Sequence, residues 1–125
     1  MSLTKAQIKK IALSFPDAHE RPYHGYPAFF VGKKFLTRLR DEDASLVLHV
    51  GSIDERDMLI EAEPALFHIT DHYRNYPYVL ARIARLDAKT LRGMLERRWR
   101  QLVPKKMAKA FDEAQSKTPA RKMRK

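Results

Sequence analysis

The chain has 125 residues, enough for one domain, and carries 25 Lys and Arg against 15 Asp and Glu, a formal net charge of +10. It contains no cysteine, which excludes disulfides, thiolate-bound metal centres and a thiol nucleophile, and fits a reducing cytoplasm. No apolar segment approaches the roughly 20 residues that span a bilayer, and the N-terminal residues lack the apolar stretch of a signal peptide. We therefore expect a cytoplasmic protein with no membrane partner.

The positive charge is concentrated in the last third of the chain. Residues 1–84 contain 11 basic and 11 acidic side chains, whereas residues 85–125 contain 14 basic and 4 acidic ones. Half of that excess lies in a polar segment at 116–125, which is predicted to be a disordered tail after a single domain at 1–115. A basic surface favours an anionic partner such as DNA.

The first half of the chain predicts one helix followed by strands. Thr4 and Gln7 form a T-x-x-Q capping box before apolar residues at helical spacing, and Pro16 ends that helix. A connector rich in proline and glycine is predicted at 16–27. Strands are predicted at 28–31, 35–40 and 46–50, with a tight turn at 32–34 and an acidic loop at 41–43. One face of the second strand is predicted to carry Phe35, Thr37 and Leu39.

The second half predicts a helix, two strands and two more helices. Ser52 and Glu55 form a second capping box, and Pro64 ends the helix that follows. Strands are predicted at 66–70 and 78–85. Asp87 caps a strongly amphipathic helix up to residue 103, and Pro104 suits the first position of the last helix. Because strands are grouped rather than alternating with helices, we expect an α+β fold with an antiparallel sheet covered by helices.

Several chemistries are excluded by spacing. The four glycines are scattered and form no phosphate-binding loop, and Gly51-Ser52 lacks the second glycine of a nucleophile elbow. His19 and His24 do not form the H-E-x-x-H helix of zinc enzymes, and His68 and His72 lie across a strand end. We therefore expect neither a metal site nor a cofactor.

Two constellations remain as candidate sites. The first is a polar cleft, formed if the two connectors meet at one end of the sheet, which would be lined by Glu20, His24, Tyr73 and Tyr76. A carboxylate beside a histidine can serve acid–base chemistry, but the same groups can simply pin loops through hydrogen bonds. The second is a basic surface that would contact phosphates without reading bases, formed by Lys33, Lys34, Arg38, Arg40, Arg97, Arg98, Arg100, Lys105, Lys106 and Lys109. Trp99 lies in the apolar stripe of its helix and is predicted to be core.

The chain resembles the MmcQ/YjbR family of small bacterial proteins over about residues 5–113. The residues that carry the resemblance are Phe15-Pro16, Glu20, Gly25 to Phe29, Val31, Lys34-Phe35, Leu46 to Leu48, Asp71 to Tyr78, Leu91, Leu95, Trp99 and Val103 to Lys106. The resemblance implies an antiparallel α+β fold similar in shape to frataxin-type proteins, and DNA binding through a double wing of hairpins. Many members have a glycine pair in the first hairpin, whereas Gly32 is followed here by Lys33, which adds a cation at a wing tip. Iron binding of the frataxin type is not expected, since the acidic residues are spread over a loop and a helix.

Three functions are therefore left open. The leading hypothesis is a non-enzymatic, weakly sequence-specific DNA-binding protein. The first alternative is a protein-interaction or chaperone-like module. The second is a small-ligand binder or enzyme that uses the polar cleft.

Overall fold

The computed structural model describes residues 3–23, 26–40 and 44–116. Its helices are α1 (Lys5–Leu13), α2 (Ile53–Ala62), α3 (Ala88–Leu102) and α4 (Lys105–Ser116). Its strands are β1 (Ala18–Tyr23), β2 (Tyr26–Val31), β3 (Lys34–Arg40), β4 (Ser45–His49), β5 (Phe67–His68) and β6 (Tyr78–Arg82). Short 3-10 turns cover Asp71–Tyr73 and Ile83–Arg85, so the last two strands are shorter than predicted.

The strands form one six-stranded antiparallel sheet in the order β1-β2-β3-β4-β6-β5. One face of the sheet packs against all four helices around a core that includes Ile8, Phe29, Leu46, Leu91 and Trp99. We call the opposite face the open face. The predicted α+β class, with an antiparallel sheet and helices packed on it, is confirmed. No helix in the described ranges is long and apolar enough to cross a bilayer.

The helix starts follow the local sequence signals. Thr4 accepts a hydrogen bond from the Gln7 backbone at 3.1 Å and Gln7 returns one at 2.9 Å, which completes the predicted capping box. At the start of α2, the Ser52 hydroxyl accepts from the Glu55 N–H at 3.1 Å. Asp87 caps α3 in the same way through the Thr90 N–H. The capping box of α1 and the capping roles of Ser52 and Asp87 are confirmed. The second predicted capping box is only half formed in the described residues, because the Glu55 carboxylate accepts from Arg97.

The predicted connector at 16–27 is wrong, because it contains β1 and the start of β2. Strand β1 pairs along its whole length with β2, from Ala18 opposite Val31 to Tyr23 opposite Tyr26. Its sequence is polar and includes Pro22, which conceals a strand from pattern analysis. A proline is tolerated because β1 is an edge strand, whose outer side needs no ladder hydrogen bond.

A β-bulge corrects the predicted facing of β3. The register between β2 and β3 shifts between Phe29 and Phe30, so that Phe30 pairs with Phe35 while Phe29 pairs with Thr37. Thr37 therefore shares the helix-covered face with Phe29, whereas Phe35 turns to the open face. The three residues Phe35, Thr37 and Leu39 do not share one face as predicted.

The C-terminal helices close the core at the end of the sheet that carries the β2–β3 turn. Trp99 is fully buried, as predicted, and its indole N–H donates to the Pro16 carbonyl at 2.8 Å. Phe111 of α4 packs on Trp99 with ring centroids 4.8 Å apart. Helix α4 runs to Ser116, and the predicted acidic loop at 41–43 and the rest of the predicted tail, 117–125, lie outside the described residues.

Candidate binding site on the open face

The open face carries an apolar cluster of its own. Val47 of β4 and Leu80 of β6 lie opposite one another in the sheet and are covered by Tyr73. Phe35 and Tyr78 pack against the edge of this cluster. Apolar side chains on a face without a helix create a surface that water hydrates poorly, and such a surface favours binding.

The loop at 71–77 lies over this face and is fixed to α2 by Arg56. The Arg56 guanidinium is buried and donates to the backbone carbonyls of Tyr73, Arg74 and Tyr76 at 3.3, 2.7 and 3.2 Å. A charged donor to carbonyls forms strong hydrogen bonds. The loop is therefore held rigidly enough to present its side chains at defined positions.

Between the loop and the sheet lies a partly open cavity of about 610 Å³. Five aromatic rings line it, those of Phe30, Phe35, Tyr73, Tyr76 and Tyr78. The remaining lining side chains are Arg38, Val47 and His72, and none of the eight is a carboxylate. A cavity of this volume, mostly aromatic with a few polar groups, has the properties of a site for a small molecule or part of a larger one.

Four of the five aromatic rings of the cavity form a continuous band, with one ring each from β2, β3, β6 and the loop. Phe35 meets Phe30 at a centroid distance of 6.0 Å and Tyr78 at 5.8 Å, both edge-on. Tyr78 also meets Tyr73 edge-on at 5.8 Å. Edge-to-face contacts fix the orientation of rings relative to one another. The band is thus a preformed surface for stacking of a planar group.

Arginines from β1 and β3 lie among these rings. The Arg38 guanidinium donates to the Tyr73 hydroxyl at 3.0 Å. Arg40 lies over the Tyr73 ring at 6.0 Å from its centroid, and Arg21 over the Phe30 ring at 5.3 Å. Both are cation–π distances. The predicted phosphate contacts Arg38 and Arg40 therefore lie at the aromatic surface.

The predicted polar cleft is only partly assembled. Tyr73 and Tyr76 do lie together in the cavity. Glu20 does not join them, because it lies opposite Phe29 on the helix-covered face and pairs with Lys9 of α1 at 3.0 Å. Alternation along β1 puts a residue on one face only, so this part of the prediction is wrong. His24 lies outside the described residues.

Two of the predicted α3 cations are neutralised by neighbouring carboxylates. Arg97 donates two hydrogen bonds to Glu55, one of them at 2.7 Å, and these bonds lower the pKa of that carboxyl. Arg100 bridges Glu96, at 3.0 Å, and Asp112 on α4, and its hydrogen bonds lower the pKa of Asp112. The positive charge of each arginine is thus offset by a neighbouring carboxylate, on the helix side of the sheet.

Arg98 connects α3 to the β2–β3 turn. Its Nε donates to the Phe35 carbonyl at 3.4 Å, and burial lowers the pKa of its guanidinium. Lys33 and Lys34 are exposed at that turn, directly before Phe35, and neither forms an ion pair with any residue that the structure describes. Lys34 lies opposite Val31 and so on the helix-covered face, and Lys33 lies in the turn itself, two residues before the cavity residue Phe35. The lysines of α4 are exposed on the helix side, at 105, 106 and 109.

His49 lies beside the same end of the cavity. Its ring meets Tyr78 edge-on at a centroid distance of 5.2 Å, and its Nδ1 has no hydrogen-bond partner in the described structure. Burial, reinforced by Arg98 and Arg97, lowers the pKa of its imidazole, and Glu55 opposes the effect. The shift favours the neutral form of the imidazole. Within the described ranges, no three His, Asp or Glu side chains are grouped closely enough to hold a metal ion.

The residues missed from sequence are Phe30, Phe35 and Tyr78. Each is an aromatic residue in a strand, where a core position is the usual expectation. Their common face depends on the bulge and on pairing between strands distant in sequence. The local signal was only the density of aromatic residues at 26–35 and 73–78.

Comparison with known proteins identifies the family of the chain. Uncharacterized proteins of Mycobacterium tuberculosis and Mycobacterium bovis are each 34% identical over 82 residues, which cover 63% of this chain and 64% of theirs. The chain thus spans less than two thirds of the length of these relatives. No solved structure matches it significantly. Residues 13–101 match the sequence model of the YjbR family, well over half of the chain, and the protein therefore belongs to the YjbR family.

Proposed function

We propose that this protein is a non-enzymatic module that binds single-stranded nucleic acid, with weak sequence preference, on its open face. The observation that carries the proposal is the aromatic band bordered by cations, with no carboxylate among the residues that line the cavity. Proteins that bind single strands combine aromatic rings, on which bases stack, with cations that follow the backbone.

The charge distribution supports this face over the helical one. Lys33 lies in the β2–β3 turn, two residues before the cavity residue Phe35, and Arg21 and Arg40 lie over the rings of the cavity. Arg97 and Arg100 are engaged by carboxylates on the helix side. Stacking contacts need unpaired bases, so a single strand suits this surface better than a duplex.

The test is fluorescence anisotropy with a labelled oligo(dT) of about 12 nucleotides, titrated at about 50 mM salt. We expect binding, with log affinity falling against log salt at a slope of about −1.5 to −3, since two to four phosphates would be contacted. A duplex of the same length should bind more weakly. Absence of binding at low salt, or a preference for the duplex, would contradict the proposal.

A matched pair of charge reversals locates the surface. Arg21→Glu with Lys33→Glu should weaken oligonucleotide binding at least tenfold. Lys105→Glu with Lys106→Glu changes the net charge equally, but on exposed positions of α4 on the helix side, and should weaken it less than threefold. If both pairs weaken binding equally, the interaction follows net charge alone and the open face is not the site.

A further inference from the structure

We propose that the cavity under the 71–77 loop holds one unstacked nucleotide, its base against the aromatic band and its phosphate towards Arg38. This inference deepens the proposed function and rests on it for the source of the nucleotide. The cavity, about 610 Å³, is within the range of small-ligand sites, so it suits one nucleotide rather than a length of strand.

Tyr76 supplies the stacking surface at the rim. Its side chain is 54% exposed, and its ring contacts no other aromatic ring in the described part of the chain. Its backbone is nevertheless fixed, because its carbonyl accepts from Arg56 at 3.2 Å and its N–H donates to the Tyr73 carbonyl at 3.1 Å. A ring on a fixed backbone, exposed beside a cavity, loses little conformational entropy when a base stacks on it.

The polar groups of the cavity select an anion. Aromatic walls alone also suit organic cations, which bind to ring faces. Here the Arg38 guanidinium lies in the wall and the lining contains no carboxylate, so the lining offers an organic cation no opposite charge. The Tyr73 hydroxyl accepts a hydrogen bond from Arg38, which leaves its own hydrogen for a ligand oxygen. A ligand with a planar ring and an attached phosphate can stack on the aromatic walls and also bind to Arg38 and the Tyr73 hydroxyl.

The experiment is a titration of the intact protein with adenosine monophosphate, followed by NMR signals of the aromatic side chains. We expect saturable shifts confined to the rings of the cavity, and competition of the nucleotide with the oligonucleotide for binding. Adenosine and inorganic phosphate should each bind at least fivefold more weakly than the nucleotide, because each satisfies only half of the site.

Variants separate stacking from folding. Tyr76→Ala should weaken nucleotide binding at least fivefold, and Tyr76→Phe, which keeps the ring, should restore it. Met58→Ala is the control, since Met58 is another exposed large side chain, 68% exposed, on α2 and outside the cavity. A folded Tyr76→Ala protein with unchanged nucleotide affinity would overturn the inference.

The outcomes distinguish this inference from the proposed function. If the oligonucleotide binds but adenosine monophosphate causes no saturable shift in the cavity, the inference is wrong and the proposed function stands. If the nucleotide binds in the cavity but no oligonucleotide does, the cavity is a nucleotide site and the proposed function is wrong. If neither binds, both are wrong.

Discussion

The Arg56 side chain donates a 2.7 Å hydrogen bond to the backbone carbonyl of Arg74, which joins α2 to the loop that forms one wall of the cavity. The same guanidinium nitrogen also donates to the carbonyls of Tyr73 and Tyr76 in the loop. The carbonyls of Tyr73 and Tyr76 also accept backbone hydrogen bonds, from the N–H groups of Tyr76 and Tyr78, and the buried cation adds a second donor to each. Arg56 is therefore the element of the fold that positions the candidate site without lining it.

Replacing Arg56 should destabilise the protein and loosen the cavity. Arg56→Met keeps an unbranched chain but removes the charged donor from three loop carbonyls, of which those of Tyr73 and Tyr76 keep a backbone donor, at a cost of about 2–4 kcal/mol in the free energy of unfolding. Urea unfolding measures this loss. Asp57→Asn, which removes only the exposed partner carboxylate of Arg56, should cost less than about 1 kcal/mol. Equal losses in the two variants would show that the ion pair, rather than the carbonyl bonds, stabilises the loop.

Trp99 joins α3 to the chain segment before β1, and its loss should be among the most costly in the core. Trp99→Phe removes the hydrogen bond to the Pro16 carbonyl and leaves a void beside Phe15 and Phe111, at a cost of about 2–3 kcal/mol. Trp99→Ala should cost about 3–5 kcal/mol. Thermal and urea unfolding test both values. A loss below about 1 kcal/mol for Trp99→Phe would contradict the role of the indole N–H.

The sequence was sufficient for features that depend on neighbours in the chain. Thr4 with Gln7, Ser52 and Asp87 all act as helix caps because capping requires only a side chain and the next turn of backbone. The position of Trp99 in the core followed from helical spacing in the same way. The α+β class followed from the order of these local elements.

Predicting which residues form the candidate site requires knowing how strands distant in sequence pair. Glu20 carries the same local signal whichever face it occupies, and only the pairing of β1 with β2 puts it on the helix side. Phe35 reaches the open face because of a single extra residue in β3. The bonds from Arg56 to the loop span about 20 positions and leave no pattern in the sequence. From the sequence alone, the only indication of the site was therefore the high number of aromatic residues near it.

Two glycines should respond to alanine with opposite signs. Gly93 lies inside α3, where a Cβ would meet no heavy atom within 4 Å, so Gly93→Ala should stabilise the protein by about 0.5–1 kcal/mol. Gly32, in the β2–β3 turn, has φ of 61°, which strains an L-residue, so Gly32→Ala should cost about 1 kcal/mol. Urea midpoints of the two variants test the difference. The same sign in both would contradict the backbone conformation assigned to one of them.

His49 should make the stability of the protein depend on pH just below neutrality. Burial and the nearby Arg98 and Arg97 lower the pKa of its imidazole in the folded protein, so the unfolded chain binds the proton at higher pH. The stabilisation is complete above the unfolded pKa of about 6.5 and is lost as pH falls through the folded value. The urea midpoint should therefore decrease between about pH 7.5 and 5.5, and His49→Asn should reduce that decrease. An equal decrease in the variant would assign the pH dependence to other groups.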